Sequence, residues 1–172
     1  MPAQPDAAVD TALDIDQATH TIRLTRAFDA SMAHIFDAWT QPEHLSCWWD
    51  AAGKPLAACE IDLRPGGAFR FVSQGQPEMA FAGVYLEIAR PDRLVFDANG
   101  ATGRVLLSEA AGKTQMTVEI QCQSAEHLAE YLKLRVDAGT ARTLDNLVAY
   151  AARRWADAAA PAAMNRAQGT LS

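Results

Sequence analysis

The chain has 172 residues, 49% of them hydrophobic, with a formal net charge of -6 and a pI near 5.1. That length and apolar content suit one domain with a full core. The acidic balance argues against a nucleic-acid partner, since phosphate backbones demand clustered Lys and Arg and Arg153-Arg154 is the one basic doublet.

Residues 1–17 are rich in Ala, Asp and Pro without periodicity and are expected to form a mobile arm. The opening MPAQPDAAVD has neither the basic region nor the apolar run of a signal peptide. From Thr19 to Phe28, Ile22 and Leu24 alternate with Thr21, Arg23 and Thr25, which predicts a half-buried strand. Ser31 stands at an N-cap position, followed by the helical stripe Ile35, Phe36 and Trp39. Pro42 suits the first turn of a second short helix, where its missing N–H costs nothing.

From Ala57 to Cys122 the period changes to two. Strands are predicted over 57–63, 68–74, 77–89, 93–98, 102–109 and 113–123, with turns at Arg64-Pro65-Gly66-Gly67, Pro91-Asp92, Asn99-Gly100 and Ala111-Gly112. After Ser124 the helical period returns, as one long helix or two shorter ones bent near Gly139. A tail over 158–172 is expected, Pro161 ending any preceding helix, which leaves 18–157 as the single domain. The order predicts an α+β domain with helices segregated from an antiparallel sheet.

Several segments together resemble one family: Arg26-Ala27-Phe28, Ala38-Trp39-Thr40, Pro42-Glu43-His44-Leu45, Trp48-Trp49, Asp62-Leu63-Arg64-Pro65-Gly66-Gly67, Gly83-Val84-Tyr85 and Pro91-Asp92-Arg93-Leu94. In this order and spacing, over residues 21–150, the chain resembles the family named for the activator of Hsp90 ATPase homologue 1. That family lies within the START/Bet v 1-like (SRPBCC) superfamily. The resemblance implies a helix-grip fold: a curved antiparallel sheet wrapped on a long C-terminal helix, two short helices after the first strand, and an enclosed cavity. One position departs from the family, whose last helix often carries a Gly-Trp pair. Here Gly139 is followed by Thr140, and the loss of an indole would enlarge or reshape the cavity.

Candidate chemistry follows from the same residues. Trp48 and Trp49 point about 100° apart on a helix, so one can pack inward while the other offers a flat face and an N–H at the cavity mouth. Phe69, Phe71, Phe81, Tyr85, Met116 and Val118 from the sheet, with Leu128, Tyr131, Leu132 and Arg135 from the helix, are the remaining candidate ligand contacts. No metal site is read: His34, His44 and His127 lie in no metal-ligand spacing, His20 is uninformative, and His34 is placed on a solvent-facing first turn. Glu60 and Asp62 share a strand face but lie opposite the apolar Cys59, Ile61 and Leu63, so they read as outward. The Arg64 to Gly67 run lacks the Lys and following helix of a phosphate loop and reads as a turn. Cys59 reads as inert packing, and Cys47 is the one thiol worth testing.

The leading expectation is a binding module that holds a small hydrophobic or aromatic molecule, with no cofactor, no catalytic residue and no covalent step required. A polyketide cyclase/aromatase-like enzyme is the alternative that the superfamily implies, and a Hsp90-cochaperone-like or stress-response interaction protein the next. Three scattered cysteines, Cys47, Cys59 and Cys122, fit a reducing compartment. No apolar run approaches the roughly 20 residues of a membrane span, and the location expected is cytoplasmic. A homodimer through an exposed helix or edge strand is open, though no heptad seam specifies one.

Overall fold

The alternating run between residues 57 and 123 folds as a six-stranded meander, and two strands from the N-terminal end complete the sheet. A computed structural model describes residues 11–155. In chain order it contains β1 (Thr11–Asp16), β2 (Thr21–Phe28), α1 (Met32–Thr40), α2 (Pro42–Trp48), β3 (Ala58–Ile61), β4 (Ala68–Val72), a 3-10 turn (Pro77–Met79), β5 (Phe81–Ala89), β6 (Arg93–Ala98), β7 (Ala101–Ala110), β8 (Lys113–Gln121), α3 (Ala125–Lys133) and α4 (Val136–Arg154). The eight antiparallel strands run in the order β1-β2-β8-β7-β6-β5-β4-β3. This is the α+β helix-grip architecture: a curved sheet with a long C-terminal helix laid across its concave face.

The long-range closure is β2 against β8, where Ile22 faces Ile120 and Leu24 faces Val118. Inward positions of successive strands bury Ile22, Leu24, Phe69, Phe71, Leu94, Val105, Met116 and Val118. From α4, Leu144 and Leu147 meet them, both fully buried. One inward position of β2 is charged. Arg26 is 4% exposed, and its Nε donates to Asp145 Oδ1 at 3.0 Å while its other nitrogens donate to the carbonyls of Thr25 and Ala141. The sequence pattern did not reveal that burial. A guanidinium tolerates it because each of its three nitrogens donates to an acceptor.

Local chemistry sets the helix ends. Ser31 accepts the His34 N–H at 3.1 Å as N-cap of α1, and Ser124 does the same for His127 at α3. At the other end of α1, the Ala38 carbonyl would ordinarily receive the N–H of residue 42. That residue is Pro42, which has none, and the Trp48 Nε1–H fills the vacancy at 3.1 Å.

Three expectations are corrected here. Thr11–Asp16, read as part of the arm, pair along β2 as an edge strand, with Asp14 3.2 Å from Arg23; Leu13 and Ile15 are too short an alternation to stand out. The strand expected from Pro77 begins at Phe81, because Pro77 opens a 3-10 turn. The helical break falls not at Gly139 but at Arg135, whose left-handed backbone (φ 63°) ends α3 and restarts the chain as α4. Gly139 continues α4, its N–H bonded to the Arg135 carbonyl at 2.9 Å. Residues 1–10 of the expected arm and the whole expected tail lie outside the described residues.

Candidate ligand cavity

Between the concave face of the sheet and the joint of α3 with α4 lies a cavity of about 620 Å³. Sheet residues Phe81, Phe96, Val118 and Ile120 form its floor, and Trp39 and Trp49 form one wall. Val136, Thr140 and Leu144, successive residues of one face of α4, form the other. Asp50, Ser73, Gln76, Asn99 and Leu134 also line the site, and Leu134 is strongly exposed, placing it at the mouth. Gly103 on β7 makes the floor close: a Cβ there would stand 2.5 Å from the Phe96 ring. Phe96 thus lies flat over a neighbouring strand that has no side chain in its way.

Of the twelve candidate ligand contacts, Trp49, Phe81, Val118 and Tyr131 line this cavity. Phe69, Phe71 and Tyr85 surround an adjoining crevice of about 10 Å³, barely the space of one water. They pack with Trp49 and Phe81 at ring separations of 5.0 to 6.0 Å, a filled aromatic cluster supporting the cavity wall. Burial pushes the Tyr85 hydroxyl well above its ordinary pKa. Trp48, Met116 and Leu128 are at most 1% exposed and belong to the core. Leu132 is half-buried away from the lining, and Arg135 is exposed at the left-handed joint. Arg135 falls outside the lining for a local reason. A stripe extrapolated from α3 through Arg135 loses its phase at the break, and α4 presents Val136, Thr140 and Leu144 instead. Trp39 and Phe96 were also missed as lining, although the stripe of α1 and the Leu94–Phe96–Ala98 alternation carry them.

The three tryptophans near α2 are used differently. Trp48 is fully buried, packs edge-on against Trp39 at 4.9 Å and caps α1. Trp39 donates its Nε1–H to Met116 Sδ at 3.3 Å. Trp49 is half-buried, and among the described residues its indole N–H has no protein acceptor. Polar groups around the mouth are mostly committed. Tyr131 Oη donates to the Asn99 carbonyl at 3.1 Å, tying α3 to the β6–β7 turn, and Thr143 Oγ1 donates to the Trp49 carbonyl at 3.2 Å. Burial raises the pKa of the Tyr131 hydroxyl.

The other sequence candidates lie elsewhere. His34, expected to face solvent, stacks on Trp155 at 4.8 Å with the rings 10° from parallel. His44 is buried with its Nδ1 2.6 Å from Tyr150 Oη, and burial, followed by the charge of Arg154, lowers its pKa. Cys47 is exposed beside the Glu43 carbonyl. Cys59 is half-buried, and desolvation raises its thiol pKa. Glu60 and Asp62 are exposed, with Asp62 2.9 Å from Arg64. In the Gly66-Gly67 turn the Gly66 N–H donates to the Tyr85 carbonyl, and the Tyr85 N–H to the Gly67 carbonyl, which fastens the turn to β5. Among the described residues, no three of His, Cys, Asp and Glu converge where a metal ion could be held, and no helix is long and apolar enough to cross a membrane. A second depression of about 510 Å³ opens more widely to solvent near the β6–β7 turn. Asp97, Thr102, Gln121 and Gln123 contribute to its polar lining, and it has no aromatic wall.

The sheet, the gripping helix and the cavity between them define a helix-grip protein. The model of the activator of Hsp90 ATPase homolog 1-like family matches residues 29–152, and the chain belongs to that family. Similar solved structures include protein Ms6760 of Mycobacterium smegmatis, with 22% identity, a TM-score of 0.68, and coverage of 81% of this chain and 95% of that one. A Rhodobacter sphaeroides protein has 18% identity and a TM-score of 0.74 over 84% and 99% of the two chains. CalU16 of Micromonospora echinospora has 23% identity and a TM-score of 0.57 over 92% and 90%. At these identities the likeness is one of fold. A comparison with curated protein sequences finds no match.

Proposed function

We infer that this protein encloses a small hydrophobic or aromatic molecule in the cavity between the sheet and the α3–α4 joint. The observation that carries the reading is the cavity itself: about 620 Å³ with an aromatic and aliphatic lining, within the roughly 300–1,000 Å³ of small-molecule sites. The family to which the chain belongs typically binds hydrophobic ligands. Nothing in the lining is arranged as an acid–base pair. Glu119 is held by Arg23 at 3.0 Å and Arg104 at 3.6 Å, and Tyr131 is bonded to a backbone carbonyl. Binding without turnover is the chemistry this lining supports.

Thr140 provides the test, because it lines the cavity from the middle of its helical wall. Titration of the fluorescent probe N-phenyl-1-naphthylamine should show saturable binding to the native chain. Thr140→Trp, which fills the space with an indole, should weaken that binding at least about ten-fold while far-UV circular dichroism stays unchanged. Probe affinity unaltered by the indole would place the bound molecule elsewhere and end this reading.

A further inference from the structure

We propose that the occupant of this cavity is an uncharged, flat aromatic molecule bearing a hydrogen-bond acceptor, and that Trp49 recognises it by stacking and by donating its indole N–H. The inference rests on the reading of the cavity as a ligand site and adds the chemistry of the ligand.

Among the described residues, the lining contains no Lys, Arg or His. Glu119 lies between the inward Val118 and Ile120, so its carboxylate turns to the opposite face, where two arginines hold it. Asp50 spends its Oδ2 on the N–H groups of Ala52 at 3.0 Å and Lys54 at 3.3 Å, closing its own loop. The first turn of α4 reaches the cavity through Val136, but its positive dipole end is answered by Asp137 in the same turn. Arg135 is exposed and outside the lining. A carboxylate carried into this site would therefore lose its hydration without gaining a counter-charge, and an ammonium would have to draw the single Asp50 carboxylate away from the loop N–H groups it holds.

The same wall holds an unspent donor. Trp39 and Trp48 give their N–H groups to Met116 and to the Ala38 carbonyl. Trp49 sits in the cavity wall, 5.0 Å from the Phe81 ring, and among the described residues its N–H has no protein acceptor. Trp49 is half-buried and its N–H is not among the buried unpartnered atoms, so it faces the open cavity, where an acceptor oxygen on the ligand can take the place of water. Shape follows from the same wall, since Trp49, Phe81 and Phe96 offer ring surfaces against which a planar molecule packs.

Four naphthalenes of one shape separate these terms when each displaces N-phenyl-1-naphthylamine: 2-acetylnaphthalene, 2-ethylnaphthalene, 2-naphthoate and 2-(aminomethyl)naphthalene. The ketone should bind about five-fold tighter than the ethyl compound, and each charged probe at least about ten-fold weaker than the ketone. In Trp49→Phe, which keeps a ring but loses the donor, the ketone and the ethyl compound should bind equally. A charged probe equal to the ketone overturns the charge argument, and a ketone preference that survives in Trp49→Phe overturns the role of the indole. The comparison within the native chain stands even if that variant fails to fold. Four equal affinities would refute the inference while leaving the cavity a binding site. Failure of all four and of the reporter would refute the binding reading itself.

Discussion

Replacing Trp48 by alanine removes a side chain with no exposed surface, an edge-on contact with Trp39 at 4.9 Å and the N–H that fills the vacancy left at the Ala38 carbonyl by Pro42. Truncation of a buried aromatic costs about 3–5 kcal/mol, and the stranded carbonyl keeps Trp48 clear of the lower end of that range. A loss of about 4 kcal/mol is a large fraction of the roughly 5–15 kcal/mol that holds a domain folded. For a domain of this size it should lower Tm by roughly 12 °C. Trp48→Phe removes the N–H and part of the ring volume but keeps an aromatic in the core, and should cost about 2 kcal/mol. Trp49→Ala, half-buried and facing a cavity, should cost about 1.5 kcal/mol yet weaken N-phenyl-1-naphthylamine at least about ten-fold. Urea unfolding followed by far-UV circular dichroism, with constant slope, measures the first quantity; probe titration of the folded variants measures the second. If Trp49→Ala destabilises the chain as much as Trp48→Ala, or Trp48→Ala abolishes binding while leaving stability intact, the division of labour between the two indoles is wrong.

Two further outcomes are expected away from the cavity. His44 has a folded pKa below its ordinary 6.5, so the unfolded chain takes up the proton first as pH falls. Its contribution to stability is whole above about 6.5 and is lost as pH drops through the folded pKa. His44→Gln should accordingly lose less stability than the native chain between pH 7.5 and 5, and parallel pH profiles would show that His44 is not the group responsible. Arg135 holds a left-handed backbone between α3 and α4 and is exposed. Arg135→Gly should raise stability by about 0.5–1 kcal/mol in urea unfolding with probe affinity unchanged; weakened binding would return Arg135 to the ligand contacts.

Much of the sheet is legible in the residues because each strand needs only a local rule. Period-two alternation marks β6 over Arg93–Ala98, and Asn99-Gly100 accepts the positive backbone angles (φ 53° and 82°) of the turn that follows. Ser31, Pro42 and Ser124 announce helix starts for equally local reasons. Arg135 shows where local rules stop. No residue preference selects a left-handed arginine; the joint exists because α3 is fastened to the β6–β7 turn through Tyr131 and Gln123 while α4 is fastened across β2 through Arg26. The break re-phases the last helix, and so it decides which side chains meet the cavity.

Trp48 and Trp49 show the same boundary within two residues. Their adjacency determines that they diverge. Which one is buried depends on Pro42 leaving the Ala38 carbonyl open and on the sheet bringing Met116 under Trp39. The sequence by itself determined β2 and the strands of the meander, the caps and the order of the elements after β1, and its family resemblance implied the hollow α+β form. Tertiary packing decided the cavity wall, because a lining residue is defined by the distance between surfaces that periodicity orients but does not bring together.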